Sequence, residues 1–273
     1  MYSVVIPTLG RGSLETAVHS CLRQSIQPSE ILVVHGDHIS LEGRFDSESK
    51  VRVIATPSMS MGQPDTGRNR NVGVQQSCSD LIAFLDDDDV WLPDKMERQL
   101  RYMERNQLDF LATSALYRRK NSGRVSIRPS STYSSRSGSV YWHLYSTLSF
   151  FGNRAYIPTP SFLVKKDVAL AHPFNENYPY FEDIDWLQRL YVAGSRMDQL
   201  PDPLVEISAS PRRSSRREDF AFNQVWITKL QEEDRRLAVN FVRFVAVRSA
   251  LLGNNFTSLV RYCKILMKLL KTK

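Results

Sequence analysis

The chain alternates short apolar runs with amphipathic stretches. Tyr2-Ser3-Val4-Val5-Ile6 predicts a first strand, stopped by Pro7-Thr8, with Gly10 and Gly12 permitting a tight loop. Ser13 stands at a cap position before Leu14, Ala17, Val18, Cys21 and Leu22, whose spacing predicts a helix to about Gln24. Glu30 to Val34 and Val51 to Ala55 predict two more strands, a βαβ start. A polar stretch from Gly62 to Gly73 follows, and Val74 to Ser77 reads as helical. Leu81-Ile82-Ala83-Phe84-Leu85 is apolar throughout and too short for a typical helix, so it predicts a buried strand. Pro93 marks a helix start, and Asp94 to Asn106 is amphipathic.

Beyond it, Asp109 to Tyr117 and Ile157 to Val164 predict strands, separated by a Ser, Arg and Gly-rich segment, 118–139, that reads as a loop. A helix ending at Tyr191 to Gly194 and a last strand, Leu204 to Ile207, complete the body. The C-terminal region predicts helices. Ala238, Phe241, Val242, Val245 and Leu252 form one stripe, Gly253-Asn254-Asn255 a break, and Leu259, Tyr262, Cys263, Leu266 and Leu270 a second stripe. Strands alternating with helices place the chain in the α/β class.

Composition adds two points. The net charge of +7 resides in residues 220–273, with ten Lys/Arg against three Asp/Glu, while the rest of the chain balances. Such a basic appendage suits an anionic surface, membrane lipid or nucleic acid; the balanced body and the lack of a nucleic-acid-binding motif argue against the latter. The last helix permits packing on the body or on a second subunit, which is favoured, or a position in the headgroup region of an anionic membrane. Cys21, Cys78 and Cys263 are far apart and lack metal-ligand spacing, as expected of reduced cytosolic thiols. No signal peptide or membrane span is predicted.

The candidate chemistry begins where the Leu81 strand ends, in Asp86-Asp87-Asp88-Asp89. Adjacent carboxylates repel unless a cation joins them, and hard oxygen ligands suit Mg²⁺ or Mn²⁺ carrying a phosphate. A solvated acidic turn is the plainer alternative. Arg68 and Arg70 either pair with these carboxylates or meet a nucleotide phosphate. Tyr141, Trp142, Tyr145, Phe150 and Phe151 form an aromatic cluster, suited to a core or to stacking on a sugar.

Three pieces in order, Val4-Val5-Ile6-Pro7-Thr8, Arg70-Asn71-x-Gly73 and Phe84-Leu85-Asp86-x-Asp88-Asp89 with Pro93 beyond, resemble the family-2 glycosyltransferases of the GT-A fold. Glu182-Asp183 followed by Asp185-Trp186-Leu187-x-Arg189-Leu190 matches the family's Glu-Asp motif and extends the resemblance to about residue 207. The resemblance implies a Rossmann-like, nucleotide-sugar-binding mixed sheet flanked by helices. Residues 1–215 would form the GT-A domain, its donor half 1–106 and acceptor half 107–215, and 216–273 a basic helical extension.

It further implies inverting, metal-dependent transfer from a nucleoside-diphosphate sugar, UDP being favoured, to a hydroxyl of a glycan or lipid-linked saccharide in surface polysaccharide synthesis. Asp86 is expected at the donor ribose, with Asp87 on the same donor side. Asp88 would be a ligand of Mn²⁺ or Mg²⁺, supported by Asp89. Pro7 and Thr8 would lie against the nucleoside and Arg70 at the donor. Asp183 is expected as the base, with Glu182 beside it on the acceptor side. The family often has Asp-Asp-Gly-Ser after its second strand, where this chain has His35-Gly36-Asp37-His38, so Asp37 is the candidate for reading the base. Arg212 or Arg213 would close over the diphosphate. The expected location is cytoplasmic or peripheral at the membrane's cytoplasmic face, with a homodimer open. A non-catalytic GT-A-like scaffold is the rival reading.

Overall fold

The computed structural model describes residues 1–57, 65–119, 124–146, 148, 155–209, 219–253 and 255–271. The first apolar runs become β1 (Tyr2–Thr8), β2 (Glu30–Gly36), β3 (Val51–Thr56) and β4 (Leu81–Phe84). They lie parallel in the order β3-β2-β1-β4. β1 and β2 are buried at every position, hence their apolar centres, Val4-Val5-Ile6 and Ile31-Leu32-Val33-Val34. β1 runs on through Pro7-Thr8, against the expected stop. Val5 accepts from the Leu85 N–H, where pairing with β4 ends; Pro7, two residues on, faces the same side beyond that ladder, so its missing N–H costs no bond.

Helix α1 (Leu14–Leu22) connects β1 to β2. Ser13 precedes it with backbone already helical, φ −82° and ψ −12°, and its side chain makes no capping bond. Helix α2 (Thr66–Gln76) starts well before the expected Val74. Its buried positions are Gly67, Asn69, Arg70, Asn71, Gly73 and Val74, so an apolar stripe is absent and tertiary contacts hold it. Asn71 donates to the Phe174 carbonyl (3.0 Å) and accepts from the Phe174 N–H (2.8 Å), fastening α2 to a distant loop. Gly73 lets the helix approach β1: a Cβ there would stand 2.3 Å from Val5 Cγ1. Gly73→Ala is therefore expected to lose about 1–3 kcal/mol by overpacking, read as a lowered urea midpoint at unchanged m-value. An unchanged midpoint would mean that β1 and α2 separate freely.

The second half of the sheet is mixed. Short β5 (Val90–Trp91), then α3 (Lys95–Arg105), β6 (Phe110–Arg119) and β7 (Val125–Arg128) follow β4. α4 (Val140–Ser146), β8 (Leu163–Lys165), α5 (Lys166–Ala171), α6 (Glu182–Val192) and β9 (Met197–Ala209) complete the body. β8 lies antiparallel between β4 and β6, and β9 runs parallel to β6 and antiparallel to β5. β7 corrects the expectation of a loop over 118–139: it pairs with β6, and its short alternation, Val125 and Ile127, is exposed and set within a Ser, Arg and Gly-rich segment that masks it. β9 starts at Met197 rather than Leu204, and irregularities in its register with β6 fall opposite its two prolines.

Trp186 is fully buried at the centre of the core. It stacks on Phe174 at 4.4 Å and Phe162 at 5.9 Å and meets Phe84 and Phe110 edge-on. The C-terminal helices α7 (Phe220–Glu233), α8 (Arg235–Phe241), α9 (Val247–Leu252) and α10 (Phe256–Lys271) share this core through Trp226, Phe241 and Tyr262. Trp226 donates to the Tyr145 hydroxyl at 3.0 Å, and Tyr141 and Tyr145 are buried beside it, so these aromatics pack the core. Trp142 is half exposed with Arg236 over its ring; Phe150 and Phe151 lie outside the described residues. Among the described residues no helix is long and apolar enough to cross a membrane.

Candidate active site

The four carboxylates after β4 do not form a simple solvated acidic turn; each stands against a polar partner, Asp87 and Asp88 sharing Arg11. Asp86 accepts from Arg70 Nη2 at 3.0 Å. Asp87, 2% exposed, accepts from Thr8 Oγ1 (2.6 Å) and the Leu9 N–H (3.1 Å) and is ion-paired with Arg11. Asp89 is buried and accepts from the Ser208 N–H at 3.0 Å, tying the turn to β9. Asp88 is the most open of the four whose exposure decides access, at 38%, and stands 3.9 Å from Arg11 Nη1. It lines a cleft of about 190 Å³ with Ser13, Arg118 and Ser208, too small alone for a nucleotide sugar. Two arginines thus supply the positive charge that the sequence demanded of a cation.

Arg70 is the hinge of the site. Of the two readings open for it, the ion pair is present: its side chain, 4% exposed, reaches Asp86 with Nη2 and Glu182 with Nη1 at 2.8 Å. Residues 112 positions apart in sequence are thereby joined. Arg68 points elsewhere, donating to the Pro57 carbonyl.

Glu182 and Asp183 open α6, whose first turn is all acidic apart from Ile184. Asp183 accepts from Thr159 Oγ1 at 3.0 Å and from the Ile184 N–H at 2.8 Å. The helix N-terminus favours the anion, but burial acts the other way. Burial, then the neighbouring Asp183, pushes the Glu182 carboxyl up to about 7, against the opposing pull of Arg70. Burial raises Asp183 as well. The two titrate as a pair held above the ordinary carboxylate range.

What aims this pair is Phe181, which precedes it at φ +64°. A left-handed backbone costs a bulky residue about 1–3 kcal/mol. The Phe181 ring offsets that cost against Trp226 at 5.1 Å, Phe241 at 5.9 Å and Phe222 at 6.2 Å, all from the C-terminal helices. One turn further, buried Asp185 is ion-paired to Arg189 (2.8 Å) and to Lys229 of α7. The C-terminal helices therefore form the back wall of the carboxylate pair.

Thr8, Arg70, Asp86, Asp87, Glu182 and Asp183 come together as this network. Pro7 precedes Thr8 in β1, and Asp37 is exposed at the end of β2, its N–H donating to the Thr56 carbonyl at 2.8 Å. Arg212 and Arg213 lie outside the described residues. Sequence reasoning did not single out Arg11, Phe181 or Lys229, and it read Thr159 only as part of a strand. The Pro-Thr-Pro-Ser stretch around Thr159 was the available clue.

Among the described residues no group of three His, Cys, Asp or Glu side chains is placed to hold a metal ion unaided. The donor set still fits a divalent ion that arrives with a diphosphate, since such an ion needs one or two carboxylates and fills its shell with phosphate and water. Asp88 offers an accessible hard oxygen for that purpose.

A family model described as glycosyl transferase family 2 matches residues 3–169. An uncharacterized glycosyltransferase of Haemophilus influenzae is 28% identical over 114 residues, 40% of this chain and 44% of that protein. The Escherichia coli UDP-Glc:alpha-D-GlcNAc-diphosphoundecaprenol beta-1,3-glucosyltransferase WfgD is 28% identical over 116 residues, 41% of this chain and 44% of that protein. These alignments span under half the relatives' length. The amylovoran biosynthesis glycosyltransferase AmsE of Erwinia amylovora is 21% identical over 231 residues, 81% of each chain. The crystal structure of S. aureus TarS 1-349 in complex with UDP-GlcNAc superposes with a TM-score of 0.63 at 14% identity, covering 98% of this chain and 81% of that one. The fold is thus the GT-A fold of those structures.

Proposed function

Because the chain belongs to glycosyl transferase family 2, we propose that it transfers a sugar from a nucleoside diphosphate to a hydroxyl of a glycan or lipid-linked saccharide, inverting the anomeric centre, during polysaccharide synthesis. The observation that carries this reading is the Asp86–Arg70–Glu182 chain of ion pairs, which sets the end of β4 beside the start of α6. Donor carboxylates and an acceptor-side base would then face one reaction space. UDP is the nucleotide favoured, since the TarS structure is named with UDP-GlcNAc and WfgD with UDP-Glc. A lipid-linked acceptor is supported by the diphosphoundecaprenol in the name of WfgD.

In this reading Asp86 holds the ribose, Thr8 and Pro7 border the nucleoside, and Asp37 reads the base. Asp87 keeps Thr8, Leu9 and Arg11 in register with the turn. Asp183 removes the acceptor proton as that oxygen attacks the anomeric carbon from the face opposite the diphosphate. The glycosidic C–O bond breaks and its electron pair leaves with the diphosphate. Mn²⁺ or Mg²⁺ held by Asp88, with Asp89 behind it, would supply Lewis acidity toward that leaving group. Arg212 and Arg213 are proposed to add positive charge there. Thr159 and the Ile184 N–H hold one oxygen each of the Asp183 carboxylate and so fix its orientation.

Thermal unfolding against nucleoside diphosphates and nucleotide sugars, with and without Mn²⁺, tests the donor half. A matched ligand at about 100 times its Kd is expected to stabilise by roughly 2.7 kcal/mol. That shift should require metal and vanish in Asp88→Ala. No shift with any nucleotide on a folded sample would favour the non-catalytic scaffold.

A further inference from the structure

Helix α10 carries apolar residues on two faces. Ser258, Tyr262 and Leu269 are buried, and Tyr262 accepts from Asn223 of α7 at 2.8 Å and packs on Phe220. Phe256, Val260, Met267 and Leu270 are 76, 38, 54 and 63% exposed, and Cys263 between them is exposed as well. Their spacing of four, three, four and three residues aligns them along the outward side of the helix. Leu251 and Leu252, just before it, are also exposed. A continuous exposed apolar stripe on a folded chain marks a contact surface.

Charge selects the partner. From Arg235 to Lys271 the sequence has eight Lys/Arg and no Asp or Glu. Lys264 and Lys271, both exposed, each follow a stripe residue and border the stripe along one flank. A second copy docked stripe to stripe would bring lysines together with no carboxylate on either helix to neutralise them. An anionic headgroup layer accepts both features at once, the apolar side chains at the acyl boundary and the lysines among phosphates.

We infer that the outward face of α10, with Leu251 and Leu252, is a docking surface for anionic lipid, on which the helix lies in the plane of the interface. The surface shares no residue with the carboxylate network, and its binding is measured without donor or acceptor, so its failure and that of the transfer reaction are separable.

The test is co-sedimentation of the full chain with vesicles of phosphatidylcholine alone or mixed with phosphatidylglycerol. Capture is expected only with phosphatidylglycerol and should fall with added salt. Lys264→Ala with Lys271→Ala is expected to weaken it roughly thirtyfold, and Met267→Glu with Leu270→Glu to abolish it, both at unchanged melting temperature. Equal binding to both vesicles, none to either, or undiminished binding by the variants would overturn the inference. So would a concentration-dependent dimer, seen by light scattering, that Met267→Glu with Leu270→Glu dissociates.

Discussion

Asp183→Asn is expected to leave the fold and donor affinity near those of the parent while lowering sugar transfer roughly 10²–10⁴-fold. Asn preserves the shape, with its Oδ1 accepting from the Ile184 N–H and its Nδ2 donating to a Thr159 hydroxyl that turns to accept, yet it cannot take a proton. The assay is single-turnover transfer of labelled sugar, with donor Kd measured in parallel. An equal loss in donor binding would move Asp183 from base to donor ligand. The pH dependence follows from the same burial. Because the Glu182–Asp183 pair is held above ordinary carboxylates, with Glu182 near 7, the working anion is lost as pH falls. Transfer should therefore rise with pH along an acid limb displaced above the ordinary carboxylate range. A limb centred near 4 would mean that the pair is solvated when substrate is bound.

Arg70→Ala should be the most damaging change to stability in the network. The guanidinium is buried between two carboxylates, and removing one partner of a buried ion pair costs about 3–5 kcal/mol, a melting shift on the order of 10 °C for a chain of this size. The sign with pH is a sharper test than the size. Without Arg70, the Glu182 carboxyl rises further above its unfolded value. A raised folded pKa gives stability that is complete below the unfolded pKa, 4.5, and lost as pH rises through the folded one. The deficit against the parent should be smaller near pH 5 and larger at pH 8, growing as pH rises past 7, and Glu182→Gln added to Arg70→Ala should recover part of it. A deficit equal at both pH values would assign the loss to packing.

Much of the architecture was legible because β1, β2 and β4 are buried on both faces and so appear as largely apolar runs, β3 being the exposed edge of the parallel set. Helix α2 was not. Its inward positions are Asn69, Arg70, Asn71 and Gly73, chosen for hydrogen bonds, ion pairs and close approach, so periodicity found nothing there. The Arg-Asn-x-Gly motif therefore has a structural content: Arg70 bridges the two halves, Asn71 fastens a loop and Gly73 makes room for β1. β5 is too short to leave a pattern, and the brief alternation of β7, Val125 and Ile127, is masked by the Ser and Arg around it.

In α10 two apolar faces defeated a one-stripe reading: Cys263 and Leu270, expected to share the stripe of Tyr262, point outward, while Ser258 and Leu269 point in. At the site, the aspartates after β4 and the Glu182-Asp183 pair were visible as local clusters. Arg11, Thr159, Phe181 and Lys229 were not, because their importance arises only across folded distance. Phe181 in particular looks like one more aromatic until its left-handed backbone and its packing on Trp226 are seen together.

Transfer itself is the most direct test of the account. The purified chain with Mn²⁺ would be given a panel of labelled nucleotide sugars and a lipid-saccharide extract as acceptor, and the product's anomeric configuration read by NMR. The expected result is acceptor-dependent transfer from one donor, with inversion and with loss of activity in Asp183→Asn. No transfer from any donor by a folded chain that binds nucleotide, or transfer undiminished in Asp183→Asn, would contradict it.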